Sequence, residues 1–435
     1  MNRVSRGIDR IDATFDDPNL VANAGLLLVA TLVSRLGLEA LINDRVRLGG
    51  RVGGAQPGRK VLTLVHALIA GGSHIDHAEV LRAGATQAVL GHRVMAPSTL
   101  GTFLRSFTFG HIRQLDAVIA ETIRRVWALG AGPGGDRLVI DIDSTITEVH
   151  GHHKQGAGYG YTRVLGYHPL LATRAETGEI LHVRTRKGSA NTQRGAKRFV
   201  EELIARVRRA GAAGDVVVRA DSGFYAAKTI TALGALDVRY SITIPQNPGV
   251  KAAIAGIDED TWVDIVYPDG GAAQVAEARH QGRRLVVRRT RLTGRQQQQL
   301  WPDWRHHAFV TDLTIDKVDA DVFHRHHAVV ELNIRDLKQG AGLEHVPSGH
   351  FHANAAWICC AVLAHNLIRW TATLGRTDDH DDGRLVVART VRTQLLAVPG
   401  RLVNRAGTPT LRLPTHWPWA DTFHRALVAL RALPD

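Results

Sequence analysis

The chain has 435 residues, and its hydrophobic content of 44% and charged content of 22% are typical of a globular protein with two or three domains. Lysine and arginine outnumber aspartate and glutamate by 54 to 41, so the formal net charge of +13 predicts a polyanionic partner, nucleic acid before a membrane surface. The adjacent Cys359 and Cys360 exclude a disulfide-rich secreted fold, and no early apolar run could span a bilayer, so we expect a cytoplasmic protein with no membrane partner.

Residues 1–130 have the apolar spacing of helices rather than of strands. The pattern recurs over 26–42, 61–69 and 111–129, and a cluster of glycine and proline at 130–135 then forms the best linker in the chain. We therefore predict an N-terminal helical domain over residues 1–130, which could serve DNA binding or dimerisation.

From residue 137 onward the pattern changes to strands, and the predicted fold class is α/β. Three strands, a helix, a strand and a helix follow one another, which is the opening of an RNase H-like layer. Several further strands then predict a β-rich insertion that interrupts this RNase H-like core. We predict a core at 137–238 and 319–375, the insertion at 239–318, and a basic C-terminal region at 376–435.

Acidic residues follow buried segments in three separate places. Side chains alternate across a strand, so Asp141 and Asp143 share one face of the first predicted strand. Charges in a buried strand need a partner or a metal, although Asp143 could instead cap the next turn. Asp221 ends another predicted buried strand in the same way. Glu331 lies on a predicted helix, with Lys338 two turns further along the same face.

These acidic positions and their neighbours resemble a known family. Asp143-Ser-Thr, Ala-Asp221-Ser-Gly-Phe-Tyr, and Glu331 with Lys338 are similar to the motifs of DDE transposases from bacterial insertion sequences. The resemblance is to the group that has a β-rich insertion before the glutamate and a Tyr-x2-Arg-x3-Glu-x6-Lys signature around it. The spacing between the three acids leaves room for such an insertion.

The resemblance implies an RNase H-like two-metal enzyme. Asp143, Asp221 and Glu331 would be both the catalytic residues and the ligands of two Mg²⁺ ions, for which Mn²⁺ would substitute. Asp141 is the rival first ligand because it shares a face with Asp143. The Ser-Thr pair that follows Asp143 favours that residue, since it matches the family pattern.

The implied partner is double-stranded DNA, both the inverted-repeat ends of a transposon and the target DNA, bound by a homodimer. Lys338 and Arg335 on the glutamate helix are the implied DNA-binding residues. The signature's tyrosine and arginine positions hold His324 and His327 in this chain, and a protonated histidine could contact phosphate. A nucleoid-associated protein of the cytoplasm would follow.

Two further sets of residues leave alternatives open. Arg186 and Lys187, at the end of a predicted strand, could follow a DNA backbone or could form an ordinary solvated face. Trp262, Trp301 and Trp304 in the predicted insertion could stack on a flipped base, although core tryptophans are more frequent.

The functional prediction is a DDE transposase that binds transposon ends and carries out two-metal DNA cleavage and strand transfer, that is, cut-and-paste transposition. The alternatives are a catalytically inactive, transposon-derived DNA-binding protein and a metal-dependent nuclease without strand transfer.

Overall fold

The computed structural model describes residues 8, 11–151, 153–160, 163–266, 271–291, 304–377 and 387–434. Trp301 lies outside the described residues. The N-terminal part is helical, as its apolar spacing predicted, and a short strand precedes the helices. The elements are β1 (Leu20–Val21), α1 (Leu26–Arg35), α2 (Leu38–Arg45), α3 (Pro57–Ile69), α4 (Ala78–Arg82), α5 (Thr86–Leu90), α6 (Pro97–Arg105) and α7 (Phe109–Val126).

A mixed sheet follows, and its first strands have the predicted order. Three β-branched or leucine-rich strands are antiparallel neighbours, and two more strands pair in parallel beyond the first of them. The predicted RNase H-like α/β class is therefore confirmed. The elements are β2 (Leu138–Ser144), β3 (Thr147–Glu148), β4 (Gly158–Tyr159), β5 (Leu165–Tyr167), β6 (Leu170–Arg174), β7 (Ile180–Arg184), α8 (Ala196–Ala210), β8 (Val216–Ala220), α9 (Ala227–Ala235) and β9 (Arg239–Thr243).

The strands of the predicted insertion continue this sheet. The order across the sheet is β10-β11-β12-β13-β9-β8-β2-β6-β7, in which β13 pairs antiparallel with β9. Sequence analysis assigned residues 239–243 to the start of the insertion, but β9 pairs in parallel with β8 and so continues the core. The remaining elements here are α10 (Pro248–Ala255), β10 (Val263–Asp264), β11 (Ala272–His280), β12 (Arg283–Arg291) and β13 (Arg305–Thr311).

The predicted helix that carries Glu331 begins at Val329, directly after a 3-10 turn at His326–Ala328. This turn separates it from a preceding helix, so Glu331 lies in the first turn of its helix. The C-terminal elements are α11 (Lys317–Arg325), α12 (Val329–Ala341), α13 (Phe351–Leu374), α14 (Ala388–Val391), β14 (Gly400–Arg405), β15 (Thr408–Arg412) and α15 (Ala420–Arg431).

Helix α13 is the centre of the hydrophobic core. It is apolar on all sides and packs against α1, α3, α6, α7, α12 and α15, so the N-terminal helices and the sheet share one core. By length and composition α13 could cross a membrane, and so could the bent pair α1 and α2 if it is counted as one span. However, most of α13 is buried inside the protein.

Candidate active site

The pairing of β2 with β8 brings two of the predicted acids to adjacent strand ends. The strands are parallel, with Asp141 opposite Arg219 and Ile142 opposite Ala220. Asp143 and Asp221 are the next residues, and the carboxyl ends of adjacent parallel strands meet at one edge of a sheet. The side chain of Asp221 accepts a hydrogen bond of 3.0 Å from the amide of Gly223 and so caps the 3-10 turn Ser222–Phe224.

The pKa values of Asp143 and Asp221 are raised, which indicates that few positive charges offset their negative charges. Burial raises the pKa of Asp143 to about 6, and the negative charges of Asp221 and Glu331 contribute in the same direction. Burial also raises the pKa of Asp221. Asp143 therefore lies in the electrostatic range of both other acids, and we call Asp143, Asp221 and Glu331 the carboxylate triad.

Helix α12 supplies the third acid and crosses the end of β2. Glu331 is in the exposed first turn of α12. Two turns later, Lys338 donates from Nζ to the carbonyl of Ile146 at 2.8 Å, which fixes the helix against the segment that follows β2. Asp143, Glu331, Arg335 and Lys338 line one cleft, so acidic and basic side chains of the predicted site face the same space.

Asp141, the rival first ligand, is occupied by protein groups. It is fully buried, and its two oxygens accept from Nε and Nη2 of Arg219, each at 2.8 Å. His327 Nδ1 lies 2.8 Å from Asp141 Oδ1, the oxygen that also accepts from Arg219 Nε. With these contacts Asp141 forms a structural ion pair with Arg219. Asp143 is therefore the acid on that face that is available to bind a metal. An arginine two residues before Asp221 in a buried strand was the sequence signal for this pair.

Two of the predicted DNA-binding residues are not accessible to DNA, and these two predictions are corrected. His324 is buried, stacks on Phe309, and lies 2.8 Å from Ser241 Oγ and 2.9 Å from Thr243 Oγ1. Burial lowers the pKa of His324 well below its ordinary value, so it is neutral and cannot act as a phosphate-binding cation. Arg186 is also buried.

The guanidinium of Arg186 holds a loop together instead. It donates to the carbonyl oxygens of His168, Asn191, Thr192 and Arg194, which shape the segment between β7 and α8. The neighbouring Lys187 is exposed, as is Arg335, so both remain available for phosphate contact.

The two described tryptophans of the insertion pack around one arginine. The Arg289 guanidinium carbon lies 4.2 Å from the centre of the Trp262 ring and 4.5 Å from that of Trp304. Arg289 also forms a bidentate ion pair with Glu259. This packing favours the core interpretation over base stacking for Trp262 and Trp304.

A second acidic group, which no sequence motif indicated, lies between α7, β7 and α8. Among the described residues, Asp116, His182 and Glu202 form a trio whose possible ligand atoms all lie within 4.8 Å of one another, a spacing that the carboxylate triad does not meet. Arginines surround these acids, with Arg206 at 2.6 Å from Asp116 and Arg113 at 2.9 Å from Glu202. We call this group the arginine cluster, and it also includes Arg184 and Arg198, both bonded to Glu202.

Comparison with known proteins identifies the family. The model of the family described as transposase DDE domain group 1 matches residues 5–435. The chain belongs to the DDE transposase family. Its members act on DNA by phosphoryl transfer and generally use divalent metal ions, so DNA binding and a nuclease or transposase activity follow from membership.

The other comparisons add little. No match was found among curated proteins. Among solved structures, the chain is similar to a piggyBac transposase in a synaptic complex with hairpin DNA, with 11% identity and a TM-score of 0.44. That match covers 86% of this chain and 80% of the piggyBac chain.

Proposed function

We propose that this DDE transposase family member catalyses cut-and-paste DNA transposition. It binds the ends of a transposon, cleaves the DNA there, and joins the freed 3′-hydroxyl to target DNA. Asp143, Asp221 and Glu331 are the proposed catalytic residues and the ligands of two Mg²⁺ ions, with Mn²⁺ as a substitute. The observation that carries this proposal is the parallel pairing of β2 with β8, from which Asp143 and Asp221 follow at adjacent strand ends.

The chemistry of the carboxylate triad supports a divalent metal. Carboxylate oxygens are the hard ligands that Mg²⁺ prefers, and the raised pKa of Asp143 reflects a desolvated negative site that a cation would stabilise. When bound, such ions activate the attacking oxygen and stabilise the leaving oxygen at phosphorus.

Basic side chains beside the triad would hold the DNA. Lys338 and Arg335 line the same cleft as Asp143 and Glu331, and the exposed Lys187 adds a contact beyond it. We propose that these cations bind backbone phosphates and orient the scissile bond. The net charge of +13 supports a polyanionic partner. A homodimer that pairs two transposon ends is proposed from the family resemblance.

The test is cleavage of a DNA that carries the terminal repeats flanking the gene, with Mg²⁺, by the full chain and by Asp221→Asn. Asparagine can still accept the hydrogen bond from Gly223 but lacks the charge, so the fold should be retained while cleavage is lost. Asp44→Asn is the matched control, because Asp44 is an exposed acid on α2 that pairs with the neighbouring Arg45 and Arg47.

The outcomes separate the candidate functions. Cleavage that depends on Asp221, with joining to an added target plasmid, supports the transposase. Cleavage without joining would instead indicate a nuclease. Tight binding of the ends without cleavage by any variant would indicate an inactive DNA-binding protein. Equal cleavage by Asp221→Asn and the unaltered chain would refute the assignment of the site.

A further inference from the structure

His327 is held near the carboxylate triad by a contact with the buried carboxylate of Asp141. Its Nδ1 atom lies 2.8 Å from Asp141 Oδ1, and Asp141 is fully buried and paired with Arg219. Both oxygens of Asp141 accept hydrogen bonds from Arg219, and a carboxylate can only accept hydrogen bonds. Nδ1 is therefore the donor to Asp141, and Nε2 is the ring nitrogen left for a ligand.

The backbone brings this imidazole to the same place as the three acids. Asp141 and Asp143 are two residues apart on one face of β2, so a group bonded to Asp141 lies next to Asp143. The turn that carries His327 has helical dihedral angles and continues into α12. His327 and Glu331 are thus four residues apart in a helical segment and lie on the same side of it.

The positive form of His327 would interact with both strand-end acids, since it lowers the pKa of Asp143 and of Asp221 against the larger effect of their burial. The ring is also mostly shielded, with 14% of its side chain exposed. Because Asp141 holds Nδ1, Nε2 is the ring atom that can contact a ligand at this site.

We propose that His327 is an additional ligand of the divalent ion at this site, bonding through Nε2, with Asp141 and Arg219 fixing its tautomer and orientation. The inference rests on the proposed function, because it takes the metal to be held by the carboxylate triad. Metal-ligating histidines commonly donate their other ring nitrogen to a carboxylate, which is the arrangement of Asp141 and His327. An imidazole ligand also favours Mn²⁺ or Co²⁺ over Mg²⁺.

The direct test is pulsed EPR of the full chain loaded with Mn²⁺. A coordinated imidazole nitrogen gives a ¹⁴N modulation of the Mn²⁺ signal, and growth with ¹⁵N-histidine should replace it with the ¹⁵N pattern without altering the protein. His327→Gln should lose the nitrogen coupling and retain Mn²⁺. His326→Gln is the matched control, because His326 is the preceding residue in the same turn but is exposed.

Metal affinities give a second readout. His327→Gln should weaken Mn²⁺ binding by about 10-fold or more and Mg²⁺ binding much less, so the preference for Mn²⁺ narrows. Mn²⁺ bound without nitrogen coupling in the unaltered chain would refute the role of His327 and leave the proposed function intact. Failure of Asp221→Asn to reduce Mn²⁺ binding would refute both.

Discussion

The carboxylate triad and the arginine cluster contain similar acids in opposite electrostatic settings. In the arginine cluster the ligand atoms are close together, but four arginines contact the two carboxylates. His182, whose Nε2 lies 3.4 Å from Glu202 Oε2, and Arg113 lower the pKa of Glu202. In the triad the atoms are further apart, and burial with neighbouring negative charge raises the pKa of Asp143 to about 6.

The difference teaches that proximity alone does not identify a metal site. A cation entering the arginine cluster would have to displace guanidinium groups that already neutralise the acids, whereas a cation entering the triad would relieve repulsion. We therefore propose a structural role for the arginine cluster, since it joins α7, β7 and α8, and keep the proposed catalytic role for the triad.

The largest expected effect separates the two groups by activity. Glu331→Gln should lower DNA cleavage by about 10³-fold or more, because electrostatic groups at a reacting centre each contribute factors of that order. Glu202→Gln should leave cleavage per folded molecule nearly unchanged. Initial rates with Mg²⁺, normalised to the folded fraction from circular dichroism, measure both. A greater loss of DNA cleavage in Glu202→Gln than in Glu331→Gln would indicate that the arginine cluster, and not the triad, is the catalytic group.

The next effect concerns stability. Arg206→Met leaves Asp116 buried without its strongest partner, so the free energy of unfolding should fall by about 3–5 kcal/mol, the usual cost of breaking a buried ion pair. Arg209→Met, an exposed position one turn away at the end of α8, is the control and should change it little. Urea unfolding measures both. An unchanged midpoint for Arg206→Met would show that the cluster is not structural.

The pH dependence should have opposite signs in the two groups. The pKa of Asp143 is raised in the folded state, so its contribution to stability is present below its ordinary pKa of 3.8 and is lost as pH rises through about 6. At neutral pH without metal, Asp143→Asn should therefore be more stable than the unaltered chain, by at most about 3 kcal/mol. The gain should shrink towards pH 4 and in saturating Mg²⁺.

The arginine cluster provides the contrast in the same titration. Although burial opposes it, Arg206 lowers the pKa of Asp116, so the stability that this acid contributes is present above its ordinary pKa and is lost as pH falls. Chemical unfolding in EDTA between about pH 4 and pH 7 measures how the free energy of unfolding changes with pH for each group. A gain for Asp143→Asn that does not vary with pH would show that ionisation of Asp143 is not its cause.

The limits of sequence analysis follow from which contacts are local. Strand alternation and the acids at strand ends are local patterns, and they predicted the fold class and the acids that end β2 and β8. The fate of Arg186 and His324 depends on partners that fold against them. Four carbonyl groups occupy Arg186, and two hydroxyl groups and a phenyl ring enclose His324.

The arginine cluster could not be predicted for the same reason. Its members come from α7, β7 and α8, and no motif links Asp116 to Glu202, which is 86 residues away in the sequence. Along the chain, its arginines are indistinguishable from a basic DNA-binding surface. Only the folded arrangement shows that two carboxylates partly compensate these positive charges.

The smallest expected effect follows from that compensation. Arg335 is exposed beside the triad, and Arg335→Ala should weaken DNA binding and reduce the slope of log affinity against log salt concentration by about one. Arg198→Ala should reduce the slope less, because the Arg198 guanidinium is 2.9 Å from Glu202 and its charge is partly neutralised. Fluorescence anisotropy over a salt series measures both. Equal slopes for the two variants would mean that exposure and ion pairing do not distinguish DNA-binding arginines from structural ones in this protein.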